Sequence, residues 1–565
     1  MSHQMGNSSN MLASAMSGAT SLIIIQLASR LFIFGSNQVV LRSLSPSTLG
    51  VSAQLELFLI TILYFSRESI RAAIQRQPLL PPTASSTGTI HDASLSSQKQ
   101  NGLEAQTKLL QSTVNMSYLS IVMGAVMAAT FSALYAHFAS NEVVKTPFYH
   151  WSVAVTAIAA LIELSSEPFF VVVQQNMLYS KRAAAEICAA FVKSLVTCGL
   201  SIWAAWSGRS LGVLPFALGY LSYSMVLFCG YFLAAMHMSG VRHFSFLLSR
   251  IESVDNAEYL SNRFSRLLIS VSANVFLQSV VKHLLTQGDS MILAAMTTLQ
   301  DQGIYSLASN YGGLLARILF QPIEESSRTI FSSLLSFKGA KGSDSNIRIA
   351  KVHLLNVMRG YMMITVLIIP LGPALAPKAL HILGGRRWTV PEVDSLLGLY
   401  CYYIPFLAFN GIGEAFVSSA ASPAELRNQA AWMGLFSACF ALAAYIFLAF
   451  GGLGAHGLVY ANVVNMFIRI VWSFSFVQRF LRRQNIDLVF KEFALRPQTY
   501  AAGAAVTAMF SALKSNIDSY GDILPFGLGG SYVLLVLYFE REHIMKHYTK
   551  LQEAVKSKVT RSKTD

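Results

Sequence analysis

The chain has 565 residues, 53% of them apolar and 12% charged, with a formal net charge of +14. A soluble domain carries about 25% charged residues, so this composition excludes an ordinary soluble core and defines a polytopic, all-α membrane protein. The charge does not indicate nucleic-acid binding, because no zinc-ligand spacing or aromatic-rich basic patch accompanies it.

Apolar runs of about 20 residues, the length that crosses a bilayer, recur fourteen times. The first six predicted helices are Ser17–Leu41, Ser47–Ile70, Leu109–Phe138, Phe148–Val173, Ala183–Trp206 and Leu211–Met236. Six more follow a polar stretch: Leu267–Met296, Gly303–Ile323, Val352–Leu375, Leu396–Ala420, Ala430–Phe450 and Gly454–Phe480. Thr499–Leu513 and Ile523–Phe539 close the series. The organisation expected is a six-helix half over 1–238, a cytosolic linker over 239–266, a second six-helix half over 267–483, and two further helices with a basic tail over 484–565. The Ser/Thr/Pro-rich loop 77–101 is expected to be disordered.

No Lys or Arg precedes Arg30, so the first run lacks the basic region of a cleaved signal and is predicted to be retained. Cys188, Cys198, Cys229, Cys401 and Cys439 all fall within predicted spans and form no CxxC. They are expected to pack as small apolar side chains, and neither metal nor cofactor is expected. With the N-terminus placed in the cytosol, basic residues of the cytosolic loops and tail outnumber those of the opposite loops fourfold. That bias predicts cytosolic placement of both termini.

The halves echo each other. Gly35-Ser36-Asn37 aligns with Gly288-Asp289-Ser290, and Leu49-Gly50-Val51 with Gln302-Gly303-Ile304, both at an offset of 253. Each second helix then ends in charges, Arg67-Glu68 through Arg71 and Glu324-Glu325 through Arg328. Two six-helix halves of the same sense predict a pseudo-twofold axis along the membrane normal and a central cavity, a transporter design.

Ionisable groups inside such spans are costly unless they pair or face water. Gln26, Arg30 and Asn37 form one helical stripe; Arg317, Gln321, Glu324 and Arg328 form another; Asn462, Asn465 and Arg469 a third. The planar guanidinium suits diphosphate oxygens. Arg30, Lys282, Arg317 and Arg469 are therefore candidate diphosphate ligands, with His283 the repeat counterpart of Arg30. Glu56, Arg67, Glu68, Arg71, Gln321, Pro322, Glu324, Glu325 and Arg328 are the candidate cytosolic gate or latch, with Pro322 as its joint. Structural ion pairing is the competing reading for these end charges.

No nucleotide-binding loop, HExxH or GxSxG occurs. The first predicted lumenal loop, Arg42-Ser43-Leu44-Ser45-Pro46-Ser47, has no carboxylate, which argues against a polytopic glycosyltransferase. Transport rather than covalent catalysis is expected.

Asn37-Gln38-Val39-Val40-Leu41-Arg42, Gln54-Leu55-Glu56-Leu57, Ser66-Arg67-Glu68, the run Arg317 to Arg328 with its Gln321-Pro322-Ile323-Glu324-Glu325 core, and Asn410-Gly411-Ile412 with Glu414-Ala415-Phe416 resemble the eukaryotic oligosaccharide-lipid translocation family of the endoplasmic reticulum. That family belongs with the multidrug, oligosaccharidyl-lipid and polysaccharide exporters. The resemblance implies two six-helix bundles about a cavity, an endoplasmic-reticulum membrane location, and flipping of Man5GlcNAc2-PP-dolichol for N-glycosylation. The partners it implies are that lipid, membrane lipids and the N-glycan assembly machinery. A non-transporting accessory factor and an ion-coupled exporter using Glu56, Glu163 or Glu414 are the alternatives.

Overall fold

The computed structural model describes residues 35–42, 44–75, 93–176, 178–239, 245–251, 259–335, 344–385, 388–513, 523–542 and 545. The chain divides into two compact units, Met1–Met291 and Ile292–Asp565.

The first unit contains α1 (Pro46–Gln75), α2 (Ala93–Phe138), α3 (Tyr149–Ser165), α4 (Glu167–Gln175), α5 (Tyr179–Ser207) and α6 (Leu214–Ser239). Pro46 opens α1, where a missing amide costs nothing, and Ser45 Oγ accepts from the Thr48 amide at 3.3 Å. α2 begins at Ala93, inside the Ser/Thr/Pro-rich stretch. The expected single span Phe148–Val173 is two helices meeting at Ser166, with Pro168 near the start of α4. Ile70, Met116, Phe170, Ala189, Tyr231 and Leu268 form a core joining α1, α2, α4, α5, α6 and the next helix.

The polar stretch between the halves is docked where it is described. Gln111 Nε2 donates to the Leu247 carbonyl and Gln111 Oε1 accepts from the Ser245 amide. Asn115 Nδ2 donates to the carbonyls of Ser249 and Arg263, each at 2.8 Å, and Tyr118 donates to Phe246. A short antiparallel hairpin, β1 (Tyr259–Leu260) with β2 (Phe264–Ser265), follows in register Tyr259 opposite Ser265. It leads into α7 (Arg266–Met296), within which the two units divide.

The second unit contains α8 (Leu299–Leu315), a π-turn Ala316–Phe320, α9 (Gln321–Leu335), α10 (Asp344–Gly384), α11 (Pro391–Ala420), α12 (Pro423–Tyr445), α13 (Gly454–Arg482), α14 (Pro497–Leu513) and α15 (Ile523–Phe539). α11 packs on α8, α9, α10 and α13. A Cβ at Gly372 would lie 2.8 Å from Cys401 Cβ, so glycine sets the close approach of α10 to α11. The last two helices lean on α10 through Val366, Leu495, Tyr532 and Val536, with Tyr532 donating to the Val366 carbonyl at 2.8 Å.

Among the described residues, ten helical segments are long and apolar enough to cross a membrane, with α3 and α4 counted together as Tyr149–Gln175. The first of the fourteen expected spans, Ser17–Leu41, lies mostly outside the described residues. The expected stop at Ile323 is not a helix end: the helix runs on to Leu335. The Gln321 amide donates to Ala316 O, five residues back. That wider turn comes immediately before Pro322, whose ring and missing amide would break a regular α-helix.

Candidate functional site

In the first unit, α1 carries Arg67 and Arg71 one turn apart. Glu163 near the end of α3 and Glu167 at the start of α4 carry the same four-residue spacing. Arg67 Nη1 lies 2.7 Å from Glu163 Oε1 and 3.6 Å from Glu167 Oε1. Arg71 Nε donates to Glu167 Oε2 at 2.9 Å. Both carboxylates are buried, Glu163 at 4% and Glu167 at 1% exposure. The Arg71 guanidinium also stacks 3.8 Å from the Phe170 ring centroid. Two cations against two anions leave this ladder near neutrality, which is how buried charge is tolerated.

Lys282 Nζ lies 3.3 Å from Glu68 Oε1, and its side chain is 63% exposed. His283 is the reverse case. It is 1% exposed, its Nε2 is 3.1 Å from Thr61 Oγ1, and its ring sits 4.7 and 4.8 Å from Tyr64 and Phe65. Glu56 is exposed on α1. Arg30 lies outside the described residues.

In the second unit, Arg317 sits in the π-turn. Gln321 Nε2 donates to Glu325 Oε1 at 3.0 Å, and both side chains are exposed with Pro322. Glu324 is pressed on α11: a Cβ on Gly411 would fall 1.6 Å from Glu324 Oε1. The Arg328 carbonyl accepts from Ser419 Oγ at 3.1 Å, a second tie of α9 to α11. Arg469 Nη2 meets Glu414 Oε1 at 2.5 Å, and Asn410 Nδ2 donates to the same oxygen at 3.3 Å. Asn462 Nδ2 donates to the Tyr305 hydroxyl at 3.0 Å.

The structure thus joins two of the quoted motifs, since the Gln321–Arg328 segment lies against Asn410–Phe416. It gives the end charges Arg71 and Glu68 different partners, Glu167 and Lys282. The sequence pointed to Glu163 only as an acid of the ion-coupled alternative, and paired neither it nor Glu167 with an arginine. Their spacing, equal to that of Arg67 and Arg71, was the available signal.

Apolar helix bundles carrying a buried charge ladder in the first unit and an Arg469–Glu414 pair in the second define a polytopic all-α membrane protein. The backbone is similar to the lipid II flippase MurJ in its inward closed conformation, with TM-score 0.58, 13% identity, and coverage of 93% of this chain and all of that one. It is also similar to an inward-facing multidrug resistance MATE family transporter of the MOP superfamily, with TM-score 0.54, 13% identity, and coverage of 81% and 99%. Residues 14–550 match the family Rft-1, Rft protein, and the chain belongs to that family. Relatives named Man(5)GlcNAc(2)-PP-dolichol translocation protein RFT1 include those of Yarrowia lipolytica, 34% identical over 91% of this chain and 77% of that one, and Saccharomyces cerevisiae, 30% identical over 96% of each.

Proposed function

We propose that this protein translocates Man(5)GlcNAc(2)-PP-dolichol across the endoplasmic-reticulum membrane for N-glycosylation, by alternating access and without covalent chemistry. The observation that carries the reading is the full-length similarity to relatives bearing that name, 96% of both chains in the Saccharomyces cerevisiae case. A lipid flippase among the fold neighbours supports it at the level of architecture.

The residues best suited to the diphosphate are Arg30, Lys282 and Arg317. Lys282 is exposed and held by one carboxylate at 3.3 Å, a weak tie that phosphate oxygens displace readily. Arg67 and Arg71 already hold buried carboxylates, so they serve the helix packing of the gate region. Gln321, Pro322, Glu324, Glu325 and Arg328 are the corresponding latch segment of the second unit. His283 meets Thr61 and Arg469 meets Glu414, each within its own unit. Both termini lie in the cytosol, and the N-glycan assembly machinery supplies and consumes the lipid.

The test is purified protein in vesicles with leaflet-resolved detection of the dolichol-linked oligosaccharide. Translocation above protein-free vesicles, slowed by Lys282→Ala or Arg317→Ala, is the expected result. Equal rates with and without protein refute the reading. Glycosylation-site insertion in the loops checks the orientation.

A further inference from the structure

The polar stripe of α11 and α13 is incompletely satisfied. Asn410 Oδ1, Asn465 Oδ1 and Arg469 Nε are buried and have no hydrogen-bond partner among the described residues. Asn410 is only 8% exposed. An orphaned buried polar group costs about 1–3 kcal/mol, so three around one ion pair imply an occupant. Each asparagine lies one helical turn before a member of the Arg469–Glu414 bridge. The Asn410 amide cannot be flipped to relieve its oxygen. Its Nδ2 donates to Glu414 Oε1 at 3.3 Å, and a carboxylate only accepts, so Oδ1 must face away.

The site therefore offers two amide acceptors, one guanidinium donor and the nearby Glu324 and Glu414 carboxylates. A phosphate brings only acceptors, so it meets Arg469 Nε and opposes everything else. A bare cation suits the oxygens and opposes Arg469. A hydroxyl, of a sugar or of water, both donates and accepts and can satisfy all three orphans.

Resting on the translocation reading above, we propose that Asn410, Asn465, Glu414 and Arg469 form a carbohydrate-hydroxyl subsite that holds the sugar of the lipid-linked oligosaccharide, not its diphosphate. Arg469 Nε–H donates to a sugar hydroxyl oxygen, and the asparagine oxygens accept from sugar hydroxyls. The Glu414 bridge holds the guanidinium through Nη2 and leaves the buried Nε outside that bond.

The test measures binding to detergent-purified full-length protein of two probes, dolichyl diphosphate without sugar and dolichyl diphosphate bearing Man5GlcNAc2. Asn410→Leu and Asn465→Leu should each weaken the sugar-bearing lipid about tenfold, the worth of one good hydrogen bond, and leave the sugarless lipid unchanged. Equal losses for both lipids, or no loss for either, overturn the subsite. A second measurement needs no variant: free Man5GlcNAc2 should compete against the sugar-bearing lipid on the wild-type protein and not against the sugarless one. Absence of that competition means that water alone fills the site, and also overturns it. Wild-type protein that binds both lipids alike, without preference for the sugar, sinks the subsite but leaves translocation standing. Wild-type protein that binds neither lipid sinks the translocation reading itself.

Discussion

Arg67 Nη1 donates to Glu163 Oε1 at 2.7 Å, across 96 residues of sequence. With Arg71 and Glu167 it forms a ladder that ties α1 to the α3–α4 junction. In the second unit Arg469 holds Glu414 in a single, partly exposed pair. Arg67, Arg71, Lys282, Arg359 and Arg469 each hold a carboxylate, and Lys282 is the most exposed of the five.

Removing one member of a buried pair leaves its partner charged and unpaired, at a cost of about 3–5 kcal/mol. Arg67→Ala and Glu163→Ala should each lower the melting temperature in detergent by several degrees. The double variant Arg67→Ala/Glu163→Ala should lose less than the sum of the two. Strict additivity in thermal scans would count against the ladder as a structural unit.

Gly411 leaves room for the Glu324 carboxylate on α11. An alanine Cβ there would overlap that carboxylate and no backbone atom, and the carboxylate is the free end of a flexible side chain. Gly411→Ala should therefore displace Glu324 and cost less than about 1 kcal/mol, because the overlap is relieved by a rotamer change and not by parting the helices. Thermal scans of Gly411→Ala and Gly411→Ala/Glu324→Ala should agree within a few degrees. A large loss in the single variant that the double variant recovers would show that Glu324 is held rigidly.

Glu540 gives the C-terminal helices an acid sensitivity. It is 1% exposed. Burial works to raise its pKa, but the Arg496 amide at 3.0 Å, the Arg359 guanidinium at 3.0 Å and the Thr499 hydroxyl at 2.9 Å outweigh it. The carboxyl consequently sits below its ordinary value. A depressed folded-state pKa contributes stability above the unfolded value, about 4.3, and that stability is lost as pH falls through the folded value. Melting temperature should drop below about pH 4, and Glu540→Gln should lower the neutral-pH melt and flatten this acid limb. An unchanged acid limb in the variant would assign it to other groups.

Asn115, fully buried, anchors the segment between the halves by donating to Ser249 and Arg263 and accepting from the Ser249 amide at 3.2 Å. Asn115→Leu strands those backbone groups at about 1–3 kcal/mol each. Amide exchange across 245–251 should rise by about tenfold or more, with α3 unaffected. Exchange that stays slow would mean the anchoring comes from Gln111 and Tyr118.

Much of the architecture was legible beforehand. Low charge and repeated apolar runs of about 20 residues required a polytopic helical protein, because only helices and closed β-barrels satisfy backbone polar groups in hydrocarbon, and barrel strands are shorter and alternate apolar with polar residues. The Gln321–Arg328 run and the Asn410–Phe416 run carried the family. Helical phase singled out Asn462 and Arg469, which meet Tyr305 and Glu414. The continuation past Ile323 was hidden, because Pro322 reads as a terminator and a π-turn has no sequence signature of its own. The docked segment at 245–251 was hidden too, since its order comes from Gln111 and Asn115 more than a hundred residues earlier.

The sequence by itself determined that this is a multi-span membrane protein of the Rft-1 family with ionisable groups inside its helices. Composition and motif suffice for that, because both are local. Only the tertiary structure decided which carboxylate each cation holds: Glu163 and Glu167 for Arg67 and Arg71, Glu68 for Lys282, Glu414 for Arg469. The strength of an ion pair is set by distance and burial, and both depend on which helices pack together.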